Sequence, residues 1–343
     1  MEPESALRFP FDAVPATGIA VPVAAGVAWL RMPLPFALDH INLWLLDDGD
    51  DGFTAIDTGF ALDPVRDAWR AVLGTRRLKR AVVTHGHPDH LGLAAWLEAE
   101  FGAPLWMTQG EYATAQLIVE QAGPYASANM VDFFAAHGLD AARCDALTRR
   151  GNSFKLGVPS IPRSFRRLYD GDVLAIGKHE WRVIVGHGHC AEHAALYSAT
   201  LGVLIAGDML LPRITTNVPA LSINPHDDPL ARFLDSIDAF TTLPDDTLVL
   251  PSHGRLFVGI GERVRQLHAH HADRCARLLA ACTAPRSAAE LIPVLFDRDI
   301  PDPHQVMFAM GEAIAHLNHL EHQGRLERCE DGPTIRYRER RQP

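Results

Sequence analysis

Seven residues, Thr84-His85-Gly86-His87-Pro88-Asp89-His90, bring three imidazoles and a carboxylate together, a density of donors that packing does not require. Neutral imidazole nitrogens and carboxylate oxygens are the ligands that zinc and other borderline divalent cations take. Three later segments carry the same donor types. Gly186-His187-Gly188-His189-Cys190-Ala191-Glu192-His193 supplies histidines, Ala206-Gly207-Asp208 an aspartate, and Pro251-Ser252-His253-Gly254 a further histidine. The chemistry open to such a set is metal-assisted hydrolysis, in which cations acidify a water and polarise the acceptor oxygen. No serine or cysteine stands in a recognisable nucleophile elbow.

Each segment follows an apolar run: Arg80-Ala81-Val82-Val83, Trp181 to Val185, Val203 to Ala206, and Leu248 to Leu250. These runs read as buried strands, and strand ends are where the loops of an α/β sheet gather a site. Strand periodicity would point His85 and His87 the same way. Pro88 would then stop the ladder and turn the chain, so that Asp89 and His90 approach from another direction ahead of a helix over 91–101. Upstream, strands are expected over 27–32, 42–46 and 53–56, with the Asp/Gly-rich stretch 47–52 as a turn. A helix follows over 63–73, with Asp63 as N-cap and Pro64 at its first position. Helices over 111–121 and 129–137 precede a basic, proline-containing loop over 149–167. A connection of that length reads as a lid or pocket wall. Strands return over 173–176 and 194–197. The last segment reads as helices over 287–295, 305–310 and 314–323, then strands over 325–328 and 334–337 about the turn at Asp331-Gly332-Pro333. The layer pattern is α/β with a small α+β module at the end.

A chain of 343 residues suggests one large domain and a smaller one. A net charge of -10 argues against nucleic acid as the main partner. Five cysteines without a CxxC pair suit a reducing compartment. The acidic start, Met1-Glu2-Pro3-Glu4-Ser5, is unlike a signal peptide, and the apolar stretch 18–30 is too short to span a bilayer. The expectation is a cytoplasmic protein with a small-molecule substrate and no membrane or nucleic-acid partner.

From about Asn42 to Val258 the order of motifs resembles the metallo-β-lactamase superfamily, in its dinuclear, glyoxalase II-like hydrolase branch: Asp57-Thr58-Gly59, the HxHxDH box, the GHxxxxH segment, Gly207-Asp208, and the Ser-His-Gly box. The resemblance implies a four-layer αββα sandwich over residues 1–265, with an insert at about 109–167 capping the site. Residues 266–343 would be a linker helix and a winged-helix-like domain that packs on the sandwich or mediates homodimerisation, covering Leu291, Phe296 and Leu317. It also implies that His85, His87 and His189 hold one metal and Asp89, His90 and His253 a second, with Asp208 bridging. Zinc is the first expectation, iron or manganese the alternatives. Asp89 and Asp208 would be the catalytic carboxylates, and a hydroxide shared by the metals would cleave a thioester, lactone or other small ester. Asp57 and His193 would orient ligands without binding metal. His187 stands where the family commonly has proline and is an alternative third ligand.

Candidates for the substrate site are His40 at the entrance, Arg163, Arg166 and Arg167 for an anionic group, and Thr215, Thr216 and Asn217 after Asp208. Six other histidines, at 268, 270, 271, 316, 319 and 322, read as solvated helix faces. Two competing functions remain. A phosphodiesterase or nuclease acting on RNA or DNA would need a basic stripe, yet residues 284–343 hold eight arginines against ten acids. Arg336, Arg338, Arg340 and Arg341 are the only cluster there. An iron-dependent sulfur dioxygenase would need one metal, not two.

Overall fold

In the strand His40–Asp47, Ile41, Leu43 and Leu45 pack into one apolar cluster while Trp44 and Leu46 pack into another. A strand apolar on both faces must be covered on both, and that requirement sets the layering. The computed structural model describes residues 7–50, 52–298, 300–329 and 332–340. The acidic start, Asp51, Asp331 and Arg341, to which the sequence assigned turns and a basic tail, lie outside them.

Strands β1 (Val21–Ala24), β2 (Val27–Pro33), β3 (His40–Asp47), β4 (Gly52–Ile56), β5 (Arg77–Val82), β6 (Leu105–Met107) and β7 (Arg166–Arg167) form one sheet in sequence order. It is antiparallel to β4 and parallel beyond. Strands β8 (Val173–Ile176), β9 (His179–Gly186), β10 (His193–Ser198), β11 (Val203–Gly207), β12 (Leu248–Pro251) and β13 (Phe257–Val258) form the second, in the order β13-β12-β11-β10-β9-β8. Trp29, Trp44, Ile56 and Val82 of the first sheet meet Trp181, Val183, Leu196, Ile205 and Leu250 of the second in one buried cluster. Helices α1 (Asp63–Leu73), α2 (Pro88–Leu91) and α3 (Ala94–Phe101) belong to the first sheet's side, where Val65, Trp69 and Leu97 cover Leu30, Leu43 and Ala81. Helices α4 (Gln109–Val119), α5 (Ser127–Ala136), α6 (Ala141–Arg150) and α7 (Phe154–Gly157) form the insert. Helices α8 (Pro229–Phe240) and α9 (Ile260–Ala281) cover the second sheet through Phe233, Ile237 and Leu267. The result is the four-layer αββα arrangement.

After α9 come α10 (Ala288–Phe296), α11 (Pro303–His322) and the antiparallel pair β14 (Leu326–Cys329) and β15 (Arg336–Glu339). Leu291 and Leu317 are buried in the same cluster as the α8 and α9 side chains, and Phe296 packs at its edge.

Several local expectations are corrected. Asp63 does not cap α1: the cap position is Leu62, without a side-chain bond, and Asp63 pairs with Arg66 inside the first turn. The helix over 91–101 is two helices. The Thr58 hydroxyl donates to the His90 carbonyl and accepts the Leu93 N–H, taking over groups a continuous helix would have paired internally. The loop over 149–167 is partly ordered, with α6 ending at Arg150 and α7 and β7 within it. Conversely, the two helices expected over 305–310 and 314–323 are one. Gly311 does not break α11 but lets it approach the chain: a Cβ there would lie 2.9 Å from Pro219 Cβ, and the Gly311 carbonyl accepts the Ala220 N–H.

Candidate metal centre

His85, His189, Asp208 and His253 lie just beyond strand ends, His87, Asp89 and His90 at the start of the short helix α2, and His193 opens β10. Beyond β5, His85 is buried, Gly86 passes beneath α4, and His87 is the residue preceding α2, in extended conformation (φ −66°, ψ 152°). Pro88 then occupies the first helical position, where a missing N–H costs nothing. The turn it starts carries Asp89 and His90 back toward the same space. Asp208 follows β11, and His253 follows β12.

The donors fall into two sets, His85, His87, His189 with Asp208, and Asp89, His90 with His253. Within each set one ligand atom per residue lies within 4.8 Å of the others. His85 Nε2 lies 2.9 Å from His87 Nδ1 and 3.2 Å from His189 Nε2. Asp208 stands between the sets. Its Oδ1 is 3.5 Å from both His90 Nε2 and His253 Nε2, and its Oδ2 is 3.6 Å from His189 Nε2. Asp89 Oδ2 is 3.4 Å from His253 Nε2. His187 is exposed, binds the Ala191 carbonyl through Nδ1, and belongs to neither set, so the alternative register is not the one the fold adopts.

Each imidazole of the two sets outside the HxH pair is held from behind. Asp57 Oδ2 is 2.8 Å from His90 Nδ1, the Asn217 carbonyl 2.7 Å from His189 Nδ1, and the His40 carbonyl 2.9 Å from His253 Nδ1. A carbonyl or carboxylate on Nδ1 fixes the tautomer whose Nε2 lone pair faces the centre. Asp57 itself takes left-handed backbone (φ 62°), and its other oxygen accepts the Thr84 N–H at 2.7 Å. His193 Nε2 accepts the Asp208 N–H at 3.2 Å. A Cβ on Gly207 would lie 2.2 Å from that same nitrogen, so the residue before Asp208 has to be glycine.

Charge fits these roles. Burial, then the neighbouring His90 and His87, hold His85 far below the ordinary histidine range, and burial with His189 pushes His87 down to about 3. Burial opposes ionisation of the carboxylates too. Nevertheless, nearby imidazoles outweigh it, bringing Asp89 to about 2 and Asp208 well below the usual range. Burial likewise disfavours charge on His90 and His253, but Asp57, Asp89 and Asp208 outweigh it and draw positive charge to both. Buried carboxylates with that demand, together with His90 Nε2 and Asp208 Oδ1 buried without a hydrogen-bond partner, suit divalent cations.

The substrate candidates are placed differently. His40 Nε2 accepts the Gly254 N–H at 2.9 Å, so its ring braces the Ser-His-Gly loop. Thr216 is buried, with its hydroxyl donating to the Asp208 carbonyl, and Asn217 holds His189 through its backbone. Arg163 is exposed; Arg166 lies over Trp106 and Arg167 over Tyr169 at the β7 edge.

Three bracing residues escaped the sequence reading. Glu111, buried in the first turn of α4, accepts the Gly86 N–H at 2.7 Å and the Glu192 N–H at 3.1 Å, clamping two ligand loops together. Asn42 accepts from Trp29 Nε1 and donates to the Pro251 and Gly254 carbonyls. Glu312 of α11 accepts from Asn217 Nδ2 at 3.2 Å and pairs with Arg274 at 3.1 Å. An acid among the apolar positions of α11 was the visible sign of the last; the other two carried none.

The solvated reading of the late histidines also fails in part. His271 and His316 are buried and bonded to each other at 3.1 Å, and His319 pairs with Asp228. The faces that carry them are packing faces between α8, α9 and α11. In the terminal arginine cluster, Arg336 pairs with Glu290 and Arg338 with Glu327.

Comparison with known proteins agrees with this geometry. The family described as Metallo-beta-lactamase superfamily matches residues 37–253, and that described as Metallo-beta-lactamase-like, C-terminal domain matches residues 275–340. The chain is 23% identical over 336 residues to the probable metallo-hydrolase YqjP of Bacillus subtilis, across 90% of this chain and 96% of that one. Among solved structures, a beta-lactamase domain protein from Burkholderia ambifaria aligns with TM-score 0.90 and 45% identity, covering 97% and 98% of the two chains. A metallo-beta-lactamase family protein from Thermus thermophilus, TTHA1429, aligns with TM-score 0.77 and 30% identity, covering 92% and 99%.

Proposed function

The chain belongs to the metallo-β-lactamase superfamily, and on that premise we propose that it is a dinuclear metal-dependent hydrolase of small ester-type substrates, thioesters or lactones. The observation that carries this reading is the position of Asp208, within 3.6 Å of ligand nitrogens in both donor sets. A carboxylate so placed can serve two cations at once. His85, His87, His189 and Asp208 would hold one, and Asp89, His90, His253 and Asp208 the other. Zinc is the first candidate, because the donors are imidazole and carboxylate without thiolate.

When bound, a cation pair supplies an acidified water and a Lewis acid for the substrate's carbonyl oxygen. The chain's own residues do the rest. Asp57, Asn217 and His40 hold the Nδ1 protons of His90, His189 and His253, so the ligand lone pairs need no reorganisation during reaction. Asp89 and Asp208, kept ionised, would hold the cations, and Asp208, standing between the two sets, would also assist in passing a proton to the leaving sulfur or oxygen. Cys190, next to His189, lies in neither set, and burial, with Glu111, pushes its thiol well above the usual range, away from the thiolate a nucleophile needs.

The pairing of Arg336 and Arg338 with acids leaves the nuclease reading without its expected stripe. The test combines metal analysis with a panel of thioester, lactone and bis-nitrophenyl phosphate substrates. Two cations per chain and turnover of the carbonyl substrates are expected. One iron per chain would overturn the dinuclear reading, and preference for the phosphodiester would overturn the substrate class.

A further inference from the structure

Between α4 and the β7 edge lies an open groove of about 630 Å³. One wall is a face of α4 carrying Tyr112, Ala113, Gln116 and Leu117, with Gln109 at its start. The other is an extended segment in which Phe165, Arg167 and Tyr169, at alternate positions, share a side while Leu168 between them is buried. Phe165 joins the walls by stacking on Tyr112, with centroids 4.0 Å apart and planes at 20°. The Tyr112 hydroxyl donates to the Pro162 carbonyl at 2.8 Å and accepts from Gln116 Nε2 at 3.2 Å. The ring pair is thus held in place by the protein itself, which lowers the ordering cost of binding.

The groove has apolar walls and one unanswered charge. Tyr169 is 53% exposed, and the Arg167 guanidinium lies over its ring, 4.3 Å from the centroid. Among the described residues the Arg167 side chain makes no hydrogen bond or ion pair, and the Gln109 amide makes no hydrogen bond. The acids that follow in sequence are engaged elsewhere. Asp170 accepts the Val185 N–H and Asp172 the Tyr169 N–H, both at 2.9 Å. A mostly apolar recess of this volume with a few convergent polar groups is the common form of a small-molecule site. It is separate from the metal centre, because no residue of either donor set lines it. Glu111 and Ala115, on the other side of α4, face the ligand loops: Glu111 accepts the Gly86 N–H, and a Cβ on Gly86 would lie 3.5 Å from Ala115 Cβ.

We propose that this groove is a second binding site, for a small molecule that joins a planar ring to a carboxylate or phosphate-type anion. The ring packs among Tyr112, Phe165 and Tyr169, where stacking and loss of water favour a flat apolar face. The anion takes the free N–H groups of Arg167, whose planar fork matches two anionic oxygens, with the Gln109 amide as a further donor. A neutral ring leaves that cation unanswered, and a small anion leaves the rings uncovered, so both halves are needed. The site stands whether or not the metal centre hydrolyses esters.

The test is calorimetric titration of the metal-loaded full chain with naphthoate, naphthylphosphonate, naphthylmethanol and acetate. At least one of the two ring-bearing anions should bind about tenfold or more tighter than both the alcohol and acetate, and the tighter of them names the anion. Arg167→Gln should bring that anion down to the level of the alcohol, and Tyr169→Ala should weaken it by about three- to tenfold. Arg166→Gln removes a neighbouring charge that points away, over Trp106, and should leave binding within about twofold. Thermal unfolding and unchanged cation content confirm that the variants are intact. Binding that neither Arg167→Gln nor Tyr169→Ala alters would place the anion on the metals and overturn the site. An equal loss in Arg166→Gln would reduce it to surface charge, and equal affinity for the alcohol, or no binding by about 5 mM, would also overturn it.

Discussion

Two groups of buried histidines, one in the donor sets and one between α9 and α11, differ in what surrounds them. At the candidate metal centre seven donors arrive from four loops, three carboxylates lie among or behind them, and His90 and His253 are drawn toward positive charge. Between α9 and α11, His271 and His316 have only each other and a carbonyl. His316 Nδ1 donates to the Glu312 carbonyl at 2.8 Å, so its Nε2 accepts from His271 Nδ1 at 3.1 Å. Burial, with the adjacent imidazole or Arg274, pushes His271 down to about 2 and His316 to about 3. Imidazole and burial are common to both groups. Convergent unpaired lone pairs and buried carboxylates distinguish the metal centre. The two regions meet in one residue, Glu312, whose carbonyl holds His316 and whose carboxylate holds Asn217.

The largest effect that would break or sharpen this contrast is expected at Asp208. Asp208→Ala should lower both cation content and kcat/KM, the latter by more than about a hundredfold, because it removes the ligand shared by both sets. His316→Gln should leave the cation content unchanged by elemental analysis; a loss there would show that the helix pair belongs to the metal centre.

Next is the link between the regions. Glu312→Ala should weaken cation affinity by up to about tenfold in a chelator competition, since it frees the Asn217 side chain behind His189. Glu312→Gln keeps an acceptor for Asn217 and should restore most of the loss. Equal effects of the two substitutions would assign Glu312 to charge rather than to positioning.

A smaller effect concerns acid. His271 and His316 have folded pKa values below the unfolded value of 6.5, so the unfolded chain takes up protons first as pH falls. Their stabilising contribution is therefore complete above pH 6.5 and declines below it, by about 1 kcal/mol per imidazole per pH unit. Urea midpoints between pH 7 and pH 5.5 should fall, and less steeply in His316→Gln. An unchanged slope would mean that the pair is not held neutral.

The smallest effect belongs to His268, three residues before His271 on the same helix. It is partly exposed and pairs with Asp238 at 2.7 Å. His268→Ala should cost less than about 1 kcal/mol in denaturant unfolding, as exposed ion pairs do. A larger cost would make sequence proximity, rather than burial, the guide to these histidines.

Much of the centre was legible because its donors are tied to local signals. A histidine or aspartate within a few residues of the end of an apolar run is visible in one dimension; Asp57, His85, His189, Asp208 and His253 have that form, and His87, Asp89 and His90 follow His85 in the HxHxDH box. Glu111 and Asn42 were not legible, and of Glu312 only its place among apolar residues was. Each acts by meeting a backbone group or side chain tens or hundreds of residues away, and nothing near it in sequence marks the partner. The same limit misplaced His271 and His316. Helical spacing gives a face but not what covers it, and α8, α9 and α11 cover that face together. Gly311, which falls between the two helices expected there, was missed for a related reason, since its use is a close approach to Pro219 that only the packed chain reveals.

By itself the sequence determined the donor types, their order and their attachment to strand ends, because side-chain chemistry and short-range periodicity are properties of the chain alone. Only the tertiary structure decided that Asp208 stands between two donor sets and that α11 braces His189 through Asn217. Those outcomes depend on distances between segments, which are set when the sheets and helices bury their apolar faces against one another.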